Sequence, residues 1–255
     1  SMALWAVARI IGRGTPGSRG RGGLPKEVEA FATSVAGEGF RRLTEFGPQG
    51  LSNIAWALAT MDLVRHEAPR RFILAAAQMS APGLRDYPPQ AIANFCWAMG
   101  RLGRAKDALA AFGAAAAHEA TERSSEFSWQ DLSGIVSAMM HVDLTKVSQV
   151  RKFAVSLVHR TAHCCHDIGT QALLNIALAA VRLGVDRQDL TPMAWGIEEA
   201  FTYRMAQLND IDMRQWLEVQ RYCGLPSAGA AAAAGGGRAG HHFGGECSRR
   251  GGAYR

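Results

Sequence analysis

Apolar residues recur along this chain with helical spacing, and the whole pattern repeats about every forty residues. Four segments begin at Gln49, Gln90, Gln130 and Gln171: residues 49–62 (QGLSNIAWALATMD), 90–103 (QAIANFCWAMGRLG), 130–143 (QDLSGIVSAMMHVD) and 171–184 (QALLNIALAAVRLG). A weaker copy, residues 211–224 (IDMRQWLEVQRYCG), follows one period later. Counted from the Gln as offset 0, offsets 2, 5, 9 and 12 are apolar in every strong copy. They are Leu51, Ile54, Leu58 and Met61; Ile92, Phe95, Met99 and Leu102; Leu132, Ile135, Met139 and Val142; Leu173, Ile176, Ala180 and Leu183. This is the i, i+3, i+7, i+10 spacing of one helix face. Pro48 and Pro89 suit a first helical turn, and Gly103, Gly184 and Gly224 suit a C-terminal stop. Each segment is predicted to be a helix of about four turns.

Between these helices lie second apolar-periodic, Ala-rich stretches at residues 28–40, 70–79, 107–119, 147–161 and 190–206, with few strand signals. The unit is thus a helix pair, and stacking such pairs buries a face that one pair cannot cover alone. The expected fold is all-α, an α-α superhelix (solenoid) of about 40-residue helix-pair repeats. The opening ALWAVARIIG matches the second half of the first helix, so the array starts partway through a unit. The expected organisation is a partial helical repeat at 1–11, a flexible Gly/Arg linker at 12–23, the repeat array at 24–226 and a low-complexity Ala/Gly-rich tail at 227–255. The linker and the tail are expected to be disordered, because neither can bury enough apolar area to offset the entropy of ordering.

The chain carries 28 Lys+Arg against 22 Asp+Glu, a formal charge of +6. Residues 1–23 hold four Arg and no acid, and residues 227–255 hold four Arg and one Glu, whereas residues 24–226 hold 20 basic and 21 acidic residues. The basic lean therefore lies in the ends. A near-neutral array argues against a strong electrostatic hold on phosphates, and leaves peptide binding open. Residues 1–23 share the Arg-rich, acid-free composition of an organelle transit peptide, but the opening Ser1 and the place of Trp5 in the repeat point instead to a piece of a longer protein. No run reaches the ~18 apolar residues of a membrane span. The five cysteines (Cys96, Cys164, Cys165, Cys223 and Cys247) are odd in number and lack framework spacing, which suits a reducing compartment.

The candidate chemistry lies beside the core-facing stripe. Offsets 0, 4, 7 and 11 share a helix face and read Gln49, Asn53, Trp56, Thr60; Gln90, Asn94, Trp97, Arg101; Gln130, Gly134, Ser137, His141; and Gln171, Asn175, Leu178, Arg182. Stacked units align these into ladders of amide, aromatic and basic side chains. Amides suit the edges of unstacked bases, a Trp ring or Arg plane can stack on a base, and a cation can meet phosphate. One helical repeat per base is a known way of reading single-stranded RNA. Each column also has a purely structural account. The Trp rings can pack between units, the Asn amides can tie helices together, the Gln residues can cap helix N-termini, and the cations can answer helix dipoles. An Asn ladder can equally hold the backbone of an extended peptide, as armadillo-type arrays do.

Enzymatic chemistry has no residues to rest on: GxSxG, P-loop and strand-borne GxGxxG motifs are absent from the sequence, and Glu198 and Glu199 diverge by about 100° as helix neighbours. His163, Cys164, Cys165 and His166 lack the paired spacing of a zinc site, so no metal, cofactor or small-molecule substrate is expected.

The repeated phrase, aromatic-x-x-Q-x-L-x-N-I-A-W-A-L/M-A-x-L-G, resembles the octotricopeptide repeat proteins and the related arrays found beside RAP and FAST-kinase-type domains in organelle proteins. Residues 46–62 and 87–103 come closest, and 168–184 next. Residues 127–143 lack the Asn and the Trp, and 208–224 depart further. The resemblance implies an RNA-binding module of mitochondrion or chloroplast, acting in RNA processing, stability or translation, with protein partners possible and no membrane partner. RNA contacts are expected from Gln49, Asn53, Trp56, Gln90, Asn94, Trp97, Arg101, Gln130, His141, Gln171, Asn175 and Arg182. After Pro226 this sequence becomes Ala/Gly-rich rather than RAP-like, which leaves the binding module and no nuclease-like activity.

Overall fold

In the computed structural model of the chain, the described residues are 2–12, 24–103, 105–204 and 208–226. They form α1 (Met2–Gly12), α2 (Lys26–Arg41), α3 (Pro48–Thr60), α4 (Glu67–Ser80), α5 (Pro89–Leu102), α6 (Lys106–Glu122), α7 (Trp129–Val142), α8 (Ser148–Ala162), α9 (Thr170–Arg182), α10 (Arg187–Thr202) and α11 (Asp210–Cys223). Short 3-10 turns join some of them, and no strand occurs among the described residues. The fold is all-α. Each strong copy of the phrase is one odd-numbered helix (α3, α5, α7, α9), and the weak copy is α11. α1 takes in Gly12, one residue past the expected boundary of the partial repeat. The linker residues 13–23 and the tail 227–255, expected to be disordered, lie outside the described residues.

The helices pack in two rows. Along one row α1 meets α3, α3 meets α5, α5 meets α7, α7 meets α9 and α9 meets α11; along the other, α2, α4, α6, α8 and α10 follow one another. Odd and even helices also pack across the rows, α3 on α4 and α5 on α6 for example. The apolar stripe at offsets 2, 5, 9 and 12 lies between the rows, where Ile54, Phe95, Ile135 and Ile176 are fully buried. From the even row Phe72, Phe112 and Phe153 enter the same core, and the rings of Phe95 and Phe112 lie 5.2 Å apart. Each such side chain contributes about 1.5–3 kcal/mol of burial.

A second, narrower seam joins neighbours within the odd row. Offsets 3, 6 and 10 face the next odd helix and are small or apolar, as in Ala93, Cys96 and Gly100 of α5. A Cβ at Gly100 would stand 3.2 Å from the Ala138 backbone of α7, so the bare glycine is what lets these helices approach. In α11 the same offsets are Arg214, Leu217 and Arg221, all exposed, where no further odd helix follows among the described residues.

Offset 13 takes a positive φ in each of the five copies. Gly103, Gly184 and Gly224 do so at φ of 69°, 73° and 64°, as their sequence position implies. Asp62 and Asp143 occupy the same position at 60° and 64°, and Asp is one of the few side chains that tolerate it.

Candidate nucleic-acid interface

Because the odd helices stack in register, residues at equal offsets become neighbours. At offset 7 the rings of Trp56 and Trp97 lie 6.2 Å apart between centroids and tilted by 39°, within the range of attractive aromatic pairs. Trp56 is half-buried, while Trp97 remains 38% exposed. The column continues with Ser137 and Leu178, both half-buried, so the aromatic run stops at α5. Packing between units thus accounts for part of the Trp column and leaves part of Trp97 open.

Gln49, Gln90, Gln130 and Gln171 are all exposed. None caps a helix: α3, α5 and α9 have no side-chain capping bond, and α7 is capped by Ser128, paired with Asp131 in a capping box. Instead Gln49 donates Nε2–H to Asn53 Oδ1 at 2.9 Å, and Gln171 donates to Asn175 Oδ1 at 3.0 Å. Each bond runs within one helix, so the Asn side chains do not tie neighbouring helices through it. The pair still has the Asn NH2 as donor and the Gln carbonyl as acceptor, the complementary groups a base edge requires. Asn53 is only 5% exposed, whereas Asn94 and Asn175 are half-buried, so the accessible amides of this column belong to α5 and α9. Gln215 extends the column into α11 with its Oε1 buried and unpartnered. Sequence reasoning passed it over because the weak copy lacks the leading Gln; the forty-residue register alone would have found it.

The cations at offset 11 are engaged. Arg101 donates to Asp62 of the preceding repeat at 2.7 Å. Arg182 grips Glu218 of the next repeat in a fork, Nε at 2.6 Å and Nη2 at 2.9 Å, and that hydrogen bond raises its already high pKa further. His141 places Nδ1 2.7 Å from the Ser137 carbonyl, and Thr60 donates to the Trp56 carbonyl at 2.8 Å. Exposed ion pairs of this kind contribute about 0–1 kcal/mol, so a phosphate can compete for the two arginines. The column nevertheless offers it no surplus positive charge.

Other arginines brace the stack, a role for which their sequence positions carry no signal. Arg123 Nη1 donates to the Arg85 and Tyr87 carbonyls at 3.0 and 3.1 Å, and Arg160 Nη1 to the Ser124 carbonyl at 2.7 Å. Arg204 reaches the carbonyls of Ile168 and His166, and Arg187 that of Cys223 at 2.9 Å. Each link joins one repeat to the next. Arg123 also holds the Glu126 carboxyl below its usual range through a hydrogen bond.

Two open cavities lie outside the ladder. One of about 570 Å³ is lined by Arg85, His118, Glu119, Glu122, Arg123 and Glu126, and one of about 460 Å³ by residues that include Arg70, Asp107 and Asp143. Among the described residues no three His, Cys, Asp or Glu side chains are grouped to hold a metal ion, and no helix is long and apolar enough to cross a membrane. Cys96, Cys164, Cys165 and Cys223 are all buried. Burial pushes the pKa of the Cys96 thiol up to about 12, so its thiolate is scarce at pH 8. Alkylation of Cys96 by iodoacetamide at pH 8 is therefore expected only after denaturation. Peptide mapping by mass spectrometry checks this, and rapid labelling of the native protein would contradict the buried position.

Comparison with family models, curated proteins and solved structures finds no match to this chain.

Proposed function

We propose that the chain is a sequence-selective, single-stranded RNA-binding α-solenoid of octotricopeptide-repeat type, with its two helix rows coiled into a superhelix. Its role is in organellar RNA processing, stability or translation, by binding and without catalysis. The observation that carries this reading is the row of exposed glutamines, Gln49, Gln90, Gln130 and Gln171, at one position of four successive helices, beside the accessible Asn94 and Asn175. Packed helices lie about 8–10 Å apart, a spacing that suits an extended strand with splayed bases, one to a repeat. The organellar assignment rests on the resemblance of residues 46–62 and 87–103 to the repeat phrase.

Base-edge contacts at Asn94 would select, and Arg101, released from Asp62, would meet phosphate. Selection of the full chain's preferred sequence from a random RNA pool, followed by fluorescence anisotropy, tests this division of labour. Asn94→Ala is expected to lose discrimination at one base position by about 1–3 kcal/mol, while Arg101→Ala weakens all sequences alike. Equal losses on every RNA for both variants would remove the base-reading ladder.

The carboxylates that neutralise Arg101 and Arg182 favour a second reading, an armadillo-like scaffold whose amides hold an extended peptide. That reading predicts peptide capture and no salt-dependent affinity for RNA.

A further inference from the structure

The seam within the odd row changes character at α11. From α3 to α9, offsets 3, 6 and 10 carry uncharged side chains that are buried or half-buried against the next odd helix, as are Ser133, Val136 and Met140 of α7. In α11 these offsets are Arg214, Leu217 and Arg221, and the leucine is 38% exposed between two exposed arginines. Ile211, three residues before Arg214 and so beside it on the helix, is 63% exposed. Arg151, Arg182, Arg187 and Arg204 are each held by a carboxylate or a carbonyl. Among the described residues, no hydrogen bond, ion pair or aromatic ring holds Arg214 or Arg221. Asp210 starts the same stripe, is exposed, and pairs with neither arginine, so the face keeps a net positive charge.

We infer that this face of α11 docks an acidic, amphipathic helix of another protein, whose apolar or small stripe lies on Leu217 and whose carboxylates meet Arg214 and Arg221. The face continues the seam by which each odd helix receives the next, so a helix is the shape that fits it. Charge then selects among the occupants. A second copy stacked end to end would offer α1, whose open face of Ala3, Ala6 and Ile10 holds no carboxylate. Residues 227–255 of this chain hold a single acid, Glu246. Either occupant would cover the arginines without pairing them, and burying an unpaired charge is strongly unfavourable. A nucleic-acid backbone would pair the arginines but leave Leu217 and Ile211 without apolar cover. An acidic amphipathic helix satisfies both requirements, with Leu217 as the apolar anchor inside a charged rim. The docking face differs from the amide ladder, and the inference does not rest on the RNA-binding reading.

The test titrates the full chain with two fluorescein-labelled synthetic helices, each about four turns long. Both carry one Ala/Leu stripe, flanked by glutamates in one peptide and by lysines in the other. At low salt, wild type should bind the glutamate helix about tenfold more tightly than the lysine helix, and the double variant Arg214→Glu/Arg221→Glu should reverse that preference. Leu217→Ser should weaken the glutamate helix about tenfold while keeping the charge preference. All three positions are exposed, so the variants should stay folded, which circular dichroism melts verify. Equal binding of the two peptides by wild type, or none, overturns the inference, as does unchanged binding of the glutamate helix by the double variant. Unchanged affinity in Leu217→Ser would reduce the contact to exposed charge and overturn the docked helix. If the double variant instead loses affinity for single-stranded RNA while wild type ignores the glutamate helix, the face belongs to nucleic acid and the inference falls.

Discussion

Truncating Phe112 to Ala is expected to destabilise the protein by about 3–5 kcal/mol, the cost of a large cavity in a well-packed core. Phe112 is 1% exposed, and its ring packs 5.2 Å from that of Phe95, so the change removes both burial and an aromatic pair at the junction of the two rows. The surrounding side chains sit on helices braced by contacts to both neighbouring repeats, which limits how far they can collapse into the void. Urea denaturation followed by circular dichroism reads the loss as a lower midpoint. A shift worth less than about 1 kcal/mol would mean that the rows are more loosely packed than their burial indicates.

Gly100→Leu should rank next, with a cost of about 1–3 kcal/mol or more, through overpacking rather than a cavity. The added Cβ alone would approach Ala138 Cα to 3.2 Å and its Cβ to 3.3 Å, and these are backbone and backbone-proximal atoms that cannot swing aside. The rest of a leucine has no space unless α5 and α7 move apart. In a quasi-one-dimensional stack the stability depends on nearest-neighbour interfaces, so weakening this one should also broaden the unfolding transition as the two halves uncouple. Gly134→Ala is the matched control, with open space at the site. There the gain in helix propensity of about 0.5–1 kcal/mol should appear without any packing loss. A normal, sharp transition for Gly100→Leu would contradict the close seam between α5 and α7.

The helices themselves were legible because the apolar residues at offsets 2, 5, 9 and 12 report a local periodicity that any helix must obey. The Gly stops were legible for a similar reason, since a positive φ narrows the choice of residue. Asp62 and Asp143 escaped that reading because an aspartate advertises charge rather than backbone conformation. In the candidate site, the exposure of the four Gln residues followed from the same periodicity. The partners of Arg101 and Arg182 did not. Asp62 and Glu218 lie in adjacent repeats, 39 and 36 residues away, and nothing in a single helix indicates which carboxylate the stack will bring within reach. The two arginines of that column are therefore paired with carboxylates, and His141 meets a backbone carbonyl.

For this protein the sequence alone determined the helix pairs, their forty-residue period and which side chains share a face, because those depend on backbone geometry within one helix. The tertiary structure decided which of those side chains are buried, paired or open: Asn53 covered, Asn94 accessible, Trp97 packed on one side, Ser137 left without a partner. Burial and pairing are properties of two helices at once, set by how closely their backbones approach. That approach depends on single small residues such as Gly100, whose effect appears only when the neighbouring helix is in place.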